Sequence, residues 1–149
     1  MYKRILVPVE NSPFDDAIID HVRVLAKMCN SSIVLIHVAD GWAARNISPL
    51  QLRESEEMRK DREYIERLSG TLEAEGLDAD AVLASGDPAS EISEAAEREG
   101  CDLIAMATHG HKFLGDMIHG SVAHGVRHGS TIPMLLVRGS ARGRAPAPA

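Results

Sequence analysis

The stretch from Ala107 to Ser121 gathers the residue types best suited to chemistry: Thr108, His109, Gly110, His111 and Lys112, then Gly120-Ser121 after a spacer of nine residues from Gly110. Gly110 lowers the steric barrier to a ligand meeting the backbone. Gly120-Ser121 reads as the start of a short helix running to about His128. There the first backbone N–H groups lack intrahelical partners, and a hydroxyl plus the helix dipole would cradle a phosphate. The same two residues also fit ordinary turn chemistry, so the physical case alone leaves both open. His109, His111 and Lys112, lying in the loop, are candidate phosphate contacts.

Competing chemistries fare less well. Gly110 to Gly115 has the glycine spacing of a P-loop, but Asp116 stands where the phosphate-binding lysine is required. No GxGxxG follows the first apolar run, so a dinucleotide fingerprint is missing. Ser121 lacks the G-x-S-x-G setting of an esterase nucleophile, and helix capping accounts for it. Five of the seven histidines (His109, His111, His119, His124 and His128) fall within twenty residues. His124 and His128 are one turn apart, as a metal pair would be, yet no cysteine or HExxH carboxylate accompanies them. They are read as exposed or pocket-lining imidazoles, and no metal site is expected. Gly125-x-x-x-Gly129 sits in a soluble helix, which sets aside the membrane-dimer reading. The charges from Arg53 to Arg67 read as a solvated helix face with i,i+4 pairs.

Such a loop must be held by elements, and these are legible from periodicity. Ile5, Leu6, Val7 and Val9 form a buried strand over Tyr2–Val9. Ser12 as N-cap, Pro13 at the first turn and Asp15 in capping-box spacing open a helix with Ile18, Val22, Leu25 and Ala26 on one face, ending near Asn30. A second strand covers Ser32–Ala39, a loop Asp40–Pro49, and a second helix runs from about Leu50 to Glu75, stopped by Gly76. A weaker strand over Ala79–Ala84 leads to a helix capped by Asp87 with Pro88 in its first turn. It ends at Gly100. Strands at Asp102–Ala107 and Pro133–Val137 complete an alternating β-α order. Continuous apolar strands alternating with helices argue a parallel sheet covered on both faces, doubly wound by right-handed crossovers. Ligands of such domains sit at the carboxyl ends of the strands, which selects the loops after Val9, Ala39 and Ala107.

Composition agrees. The 149 residues suit one domain, with 44% apolar and 26% charged residues. Aromatics are only 3%, so the core is aliphatic and stacking platforms for single-stranded nucleic acid are unlikely candidates. A net charge of -6 disfavours nucleic-acid backbones, leaving local donors to hold any phosphate. No targeting segment or membrane span is visible. Cys29 and Cys101 read as reduced thiols, which makes the cytoplasm the expected compartment.

Several motifs in order resemble the universal stress protein family. They are Ile5-Leu6-Val7-Pro8-Val9 followed by an acidic residue, His37-Val38 ending the second strand, Gly86-Asp87-Pro88, and Pro133-Met134-Leu135-Leu136-Val137. The pattern G-x-x-G, nine residues, G-[S/T] of the family's ATP-binding branch falls on Ala107, Gly110, Gly120 and Ser121. The resemblance covers residues 2–138. It implies a five-stranded, doubly wound, Rossmann-like fold of the adenine nucleotide alpha hydrolase-like kind in domain 1–138; residues 139–149, which have no apolar pattern, read as a disordered tail. It also implies ATP, with Mg or Mn, between the first and fourth strands. Adenosine contacts carry over to Pro8, Val9, Glu10 and Val38; ribose and phosphate contacts carry over to Met106, Ala107, Gly110, Gly120, Ser121 and Val122. A homodimer through the last strand, residues 133–138, is implied as well. Two departures stand out: Ala107 replaces the first glycine and Glu10 the usual aspartate. Alanine is tolerable there only if its φ is negative. No positioned base or arginine finger is visible, so the expected role is a regulatory module with slow hydrolysis at most. The alternative is a dimeric interaction protein of the same fold that has lost the nucleotide.

Overall fold

The computed structural model describes residues 1–40, 56–109 and 114–139. The order is β1 (Arg4–Pro8), α1 (Asp15–Cys29), β2 (Ser32–Asp40), α2 (Glu56–Ala74), β3 (Asp78–Gly86), α3 (Pro88–Arg98), β4 (Leu103–His109), α4 (Leu114–Gly129) and β5 (Met134–Gly139). The five strands form one sheet in the order β3-β2-β1-β4-β5, and every pair is parallel. The doubly wound architecture is therefore as expected.

Alternation along the strands divides the core in two. Ile5, Val7, Ile33, Leu35, Leu103 and Ala105 face one way and pack with Ile18, Ile19, Val22 and Ala26 of α1 and Ile65 and Leu72 of α2. Leu6, Val34, Ile36, Ile104 and Met106 face the other way, against Ile92, Ala95 and Ala96 of α3 and Val126 of α4. Each fully buried Leu or Ile side chain contributes roughly 1.5–3 kcal/mol of transfer free energy. Because β1 is central, changing either face of it disturbs the whole sheet.

Helix ends follow local chemistry. Asn30 closes α1 in the left-handed region at φ 56°, where asparagine is more tolerable than most residues. Asp87 caps α3 by accepting from the Ser90 N–H at 3.0 Å, as the sequence predicts. At the amino edge of the sheet, Arg4 donates to Glu99 O at 2.8 Å, Ser32 Oγ at 3.1 Å and Asp80 Oδ2 at 3.1 Å. This binds β1, β2, β3 and the end of α3 together at that edge.

The glycine pair in α4 has an intramolecular purpose. A Cβ on Gly125 would lie 2.7 Å from Ala89 Cβ, and one on Gly129 would lie 3.2 Å from Ser93 Oγ. Small residues on both sides let α3 and α4 approach closely, which brings α4 over the carboxyl end of β4.

Candidate functional site

The sheet opens at its carboxyl edge, between β1 and β4. β1 pairs with β2 from Arg4 to Pro8, and Val9 N–H continues the ladder to Ile36 O at 2.8 Å. Against β4, pairing is confined to Ile5↔Leu103 and Leu6↔Ile104. The carboxyl ends of β1 and β4 therefore diverge at the point where the winding reverses. The resulting cavity, of ≈ 190 Å³, is lined by Pro8, Val9, Glu10, Asp15, Ile36, His37, Val38, Pro88, Ile92, Met106, Ala107 and Val122. Seven residues expected at the site thus meet there: Pro8, Val9, Glu10, Val38, Met106, Ala107 and Val122. Its walls are mostly aliphatic, and its polar groups, Glu10, Asp15 and His37, come from β1–α1 and β2.

The β1–α1 loop is folded around one carboxylate. Asp15, only 2% exposed, accepts from the backbone N–H of Glu10 (Oδ1, 3.0 Å), Asn11 (Oδ2, 2.8 Å) and Ser12 (Oδ2, 3.2 Å). Tyr64 Oη of α2 donates to the same Oδ2 at 2.8 Å. Ser12 Oγ donates to Glu10 Oε1 at 2.6 Å, which fixes the longer glutamate side chain. Half of the capping box is thus present, since Asp15 reaches back to Ser12 N–H. The other half is altered: Ser12 Oγ accepts from Phe14 N–H at 3.2 Å, and α1 begins at Asp15 with Phe14 at its N-cap position. Burial pushes the Asp15 carboxyl above the ordinary carboxylate range, against the opposing pull of its N–H and Tyr64 donors.

A second polar link joins α2 to the cleft. His37 places Nδ1 2.9 Å from Val9 O and Nε2 2.9 Å from Asp61 Oδ2. Asn11 Nδ2 donates to Asp61 Oδ1 at 3.2 Å, from a backbone with φ 64°. Asp15 enters the sequence reading only as a cap, His37 only as part of a strand end and Asp61 only as one charge of the solvated face from Arg53 to Arg67, which its burial against His37 and Asn11 corrects; Tyr64 has no role in it. One signal was available: Asp61 stands a turn before Ile65 on the buried stripe of α2, where an unpartnered carboxylate would be costly.

The β4–α4 side departs from expectation. α4 begins at Leu114, not Ser121, and runs through Gly120 without a break. The backbone N–H groups of Gly120 and Ser121 therefore belong to the helix's own i→i−4 ladder, and the helix start expected there is overturned. The physical reason is in the sequence: Leu114, Met117, Ile118, Val122 and Val126 form one helical apolar stripe that spans the glycine. Ala107 lies inside β4, in register with Val137, and is not among the positive-φ residues described. The methyl group is accommodated without backbone strain. Gly110, His111 and Lys112 lie outside the described residues, as do the side chain of His109 and the loop expected over residues 41–49. His124 and His128 meet edge to face with ring centroids 4.4 Å apart, and no group of three metal-ligating side chains converges among the described residues.

A parallel sheet wound in both directions, with one cleft where β1 and β4 part, defines a doubly wound α/β ligand-binding architecture. Within that class the chain belongs to the universal stress protein family, whose model matches residues 1–138. It is 30% identical to universal stress protein MJ0577 of Methanocaldococcus jannaschii, over 93% of this chain and 96% of that protein. It is 27% identical to universal stress protein YxiE of Bacillus subtilis, over 93% and 100%. The solved structure of MJ0577 superposes with a TM-score of 0.78 at 28% identity, covering 93% of this chain and 96% of that one. A universal stress protein from Archaeoglobus fulgidus, solved in complex with dAMP, has the same fold at a TM-score of 0.68 and 16% identity, covering 91% and 98%. Among the described residues, no helix is long and apolar enough to cross a membrane.

Proposed function

We propose that this protein is a cytoplasmic, ATP-binding regulatory module of the stress response, acting through residues 1–138 and turning ATP over slowly or not at all. The observation that carries this reading is the cleft between β1 and β4, where aliphatic walls meet one acidic rim. An apolar slot suits a purine face, and Glu10 supplies an acceptor for a nucleoside hydroxyl or amino group. The triphosphate, with Mg or Mn, falls to the β4–α4 segment containing Gly110, His111, Lys112, Gly120 and Ser121. Family relatives solved with dAMP and with cAMP support the adenine class of ligand. Titrating the purified protein with ATP and magnesium should give saturable binding, weakened about tenfold or more by Val38→Trp, which fills the slot. Absence of saturation in the wild type would remove the reading.

One observation favours the second reading, a dimeric interaction protein without nucleotide: Gly120 and Ser121 spend their N–H groups inside α4. Freshly purified protein distinguishes the two. Bound adenine nucleotide raises the absorbance at 260 nm relative to 280 nm; under the second reading the ratio is that of protein alone.

A further inference from the structure

The cleft has an acidic rim whose position is set from outside it. Glu10 is the carboxylate of the β1–α1 loop that lines the cavity without being buried, and its backbone N–H donates to Asp15. Asp15 is in turn held by Tyr64, a residue of α2 that is absent from the cavity lining. We propose that Asp15 is the positioning residue of the cleft, and that Tyr64 of α2 keys it, so that the placement of Glu10 against the ligand depends on the Tyr64–Asp15 hydrogen bond. This rests on the nucleotide reading above and deepens it.

The distribution of donors makes the argument specific. Oδ2 receives three donors, from Asn11, Ser12 and Tyr64, whereas Oδ1 receives only Glu10 N–H. A proton added to Asp15 therefore goes to Oδ1, where it displaces the fewest donors. An oxygen that carries a proton is a weaker acceptor, so the bond weakened is the one that holds the Glu10 N–H. Protonation thus loosens the Glu10 backbone while leaving Asn11, Ser12 and the Ser12 Oγ–Glu10 Oε1 hydrogen bond in place.

Acidification reaches this point early. Desolvation raises the Asp15 pKa, Glu10 adds like-charge repulsion, and Tyr64 and the loop N–H groups oppose both. The charged and titratable groups facing the pair are Glu10 on the loop and Tyr64 on α2, with Asp16 and Arg67 acting on Tyr64, and Asp61 and His37 reached through Asn11. The sign follows. A carboxyl that binds its proton more readily folded than unfolded costs no global stability on acidification, so protonation of Asp15 does not itself unfold the chain.

The test uses the full chain, as wild type, Tyr64→Phe, Asp15→Asn and Glu10→Gln. ATP affinity and the amide resonances of Glu10, Asn11 and Ser12 are followed from neutral to acidic pH. In the wild type, affinity falls through a limb above the ordinary carboxylate range, and the Glu10 amide titrates with it. Tyr64→Phe keeps the ring but removes the donor, moving both midpoints up by about one pH unit. Asp15→Asn abolishes the limb, while Glu10→Gln, whatever its own affinity, retains it. A limb and amide midpoint unmoved in Tyr64→Phe would overturn the proposal, as would a Glu10 amide that ignores the titration. If the wild type binds no ATP at any pH, the nucleotide reading fails by itself, and the amide titrations still decide whether Asp15 and Tyr64 hold Glu10.

Discussion

At the scale of single residues, the acid-base groups around the cleft divide by how they are satisfied. His37 presents its two ring nitrogens to two acceptors, Val9 O and Asp61 Oδ2, each at 2.9 Å. Asp61, 9% exposed, also takes the Asn11 amide, so removing its carboxylate strands a histidine and an asparagine together. Asp61→Ala is expected to lower unfolding free energy by about 1–3 kcal/mol, read as a shifted urea midpoint at constant slope. Cys101 shows the opposite character. Burial pushes its thiol up to about 11, leaving it protonated and unreactive at neutral pH. Iodoacetamide should therefore modify the half-buried Cys29 first and reach Cys101 only on unfolding, as peptide mapping would show. The folded chain holds the Cys101 proton more tightly than the unfolded one, so this group lowers stability as pH rises through the ordinary thiol range.

At the scale of elements, the difference between what the sequence displays and what it hides comes down to range. Apolar runs and caps are local, so β1, β2, the Asp87 cap of α3 and the Asn30 end of α1 can be read from neighbours in the chain. The same locality misleads at Gly120, where glycine followed by serine looks like a helix start although the apolar stripe from Leu114 to Val126 passes through it. Of the site, the strand ends of β1, β2 and β4 are legible because the switch-point rule names them, and their individual residues because the family resemblance does. The Tyr64–Asp15 and Asp61–His37 links are not, since they join residues 49 and 24 positions apart whose pairing exists only after α2 docks. Gly125 belongs to this long-range category too: its spacing is visible, its partner Ala89 is not. Gly125→Ala gains helix propensity of about 1 kcal/mol but forces a Cβ to within 2.7 Å of Ala89. Overpacking of that kind costs about 1–3 kcal/mol, so the net effect expected is a loss. Because α4 also carries Val122 into the cleft, ATP affinity should fall with stability. Gly125→Ala combined with Ala89→Gly should restore both, and failure of that rescue would locate the cost elsewhere.

At the scale of the whole molecule, the sheet has two edges of different character. The β3 edge carries exposed Asp78 and Asp80, charges that discourage pairing with another strand. The β5 edge pairs with β4 on one side and has no other strand partner among the described residues. Leu136 is 52% exposed there, beside a groove of ≈ 510 Å³ lined by Thr108, Ala123, His124, Arg127, Ser130, Ile132, Met134 and Leu136. An unpaired edge flanked by apolar side chains is the surface a second copy can use. Two β5 strands meeting across a two-fold axis would satisfy each other's backbone and bury each other's Leu136. Arg127 borders the same groove, so the two copies would also bring two arginines near one another, and high salt should favour association by screening them. The expected outcome is a wild-type dimer in sedimentation velocity, with Leu136→Lys shifted to monomer because a charge then faces its own copy at the axis. Nucleotide affinity of that monomer should be unchanged, since Leu136 is not among the residues that line the cleft between β1 and β4. A wild type that sediments as monomer at every concentration would remove the β5 interface, and a dimer that persists in Leu136→Lys would place the interface on another face.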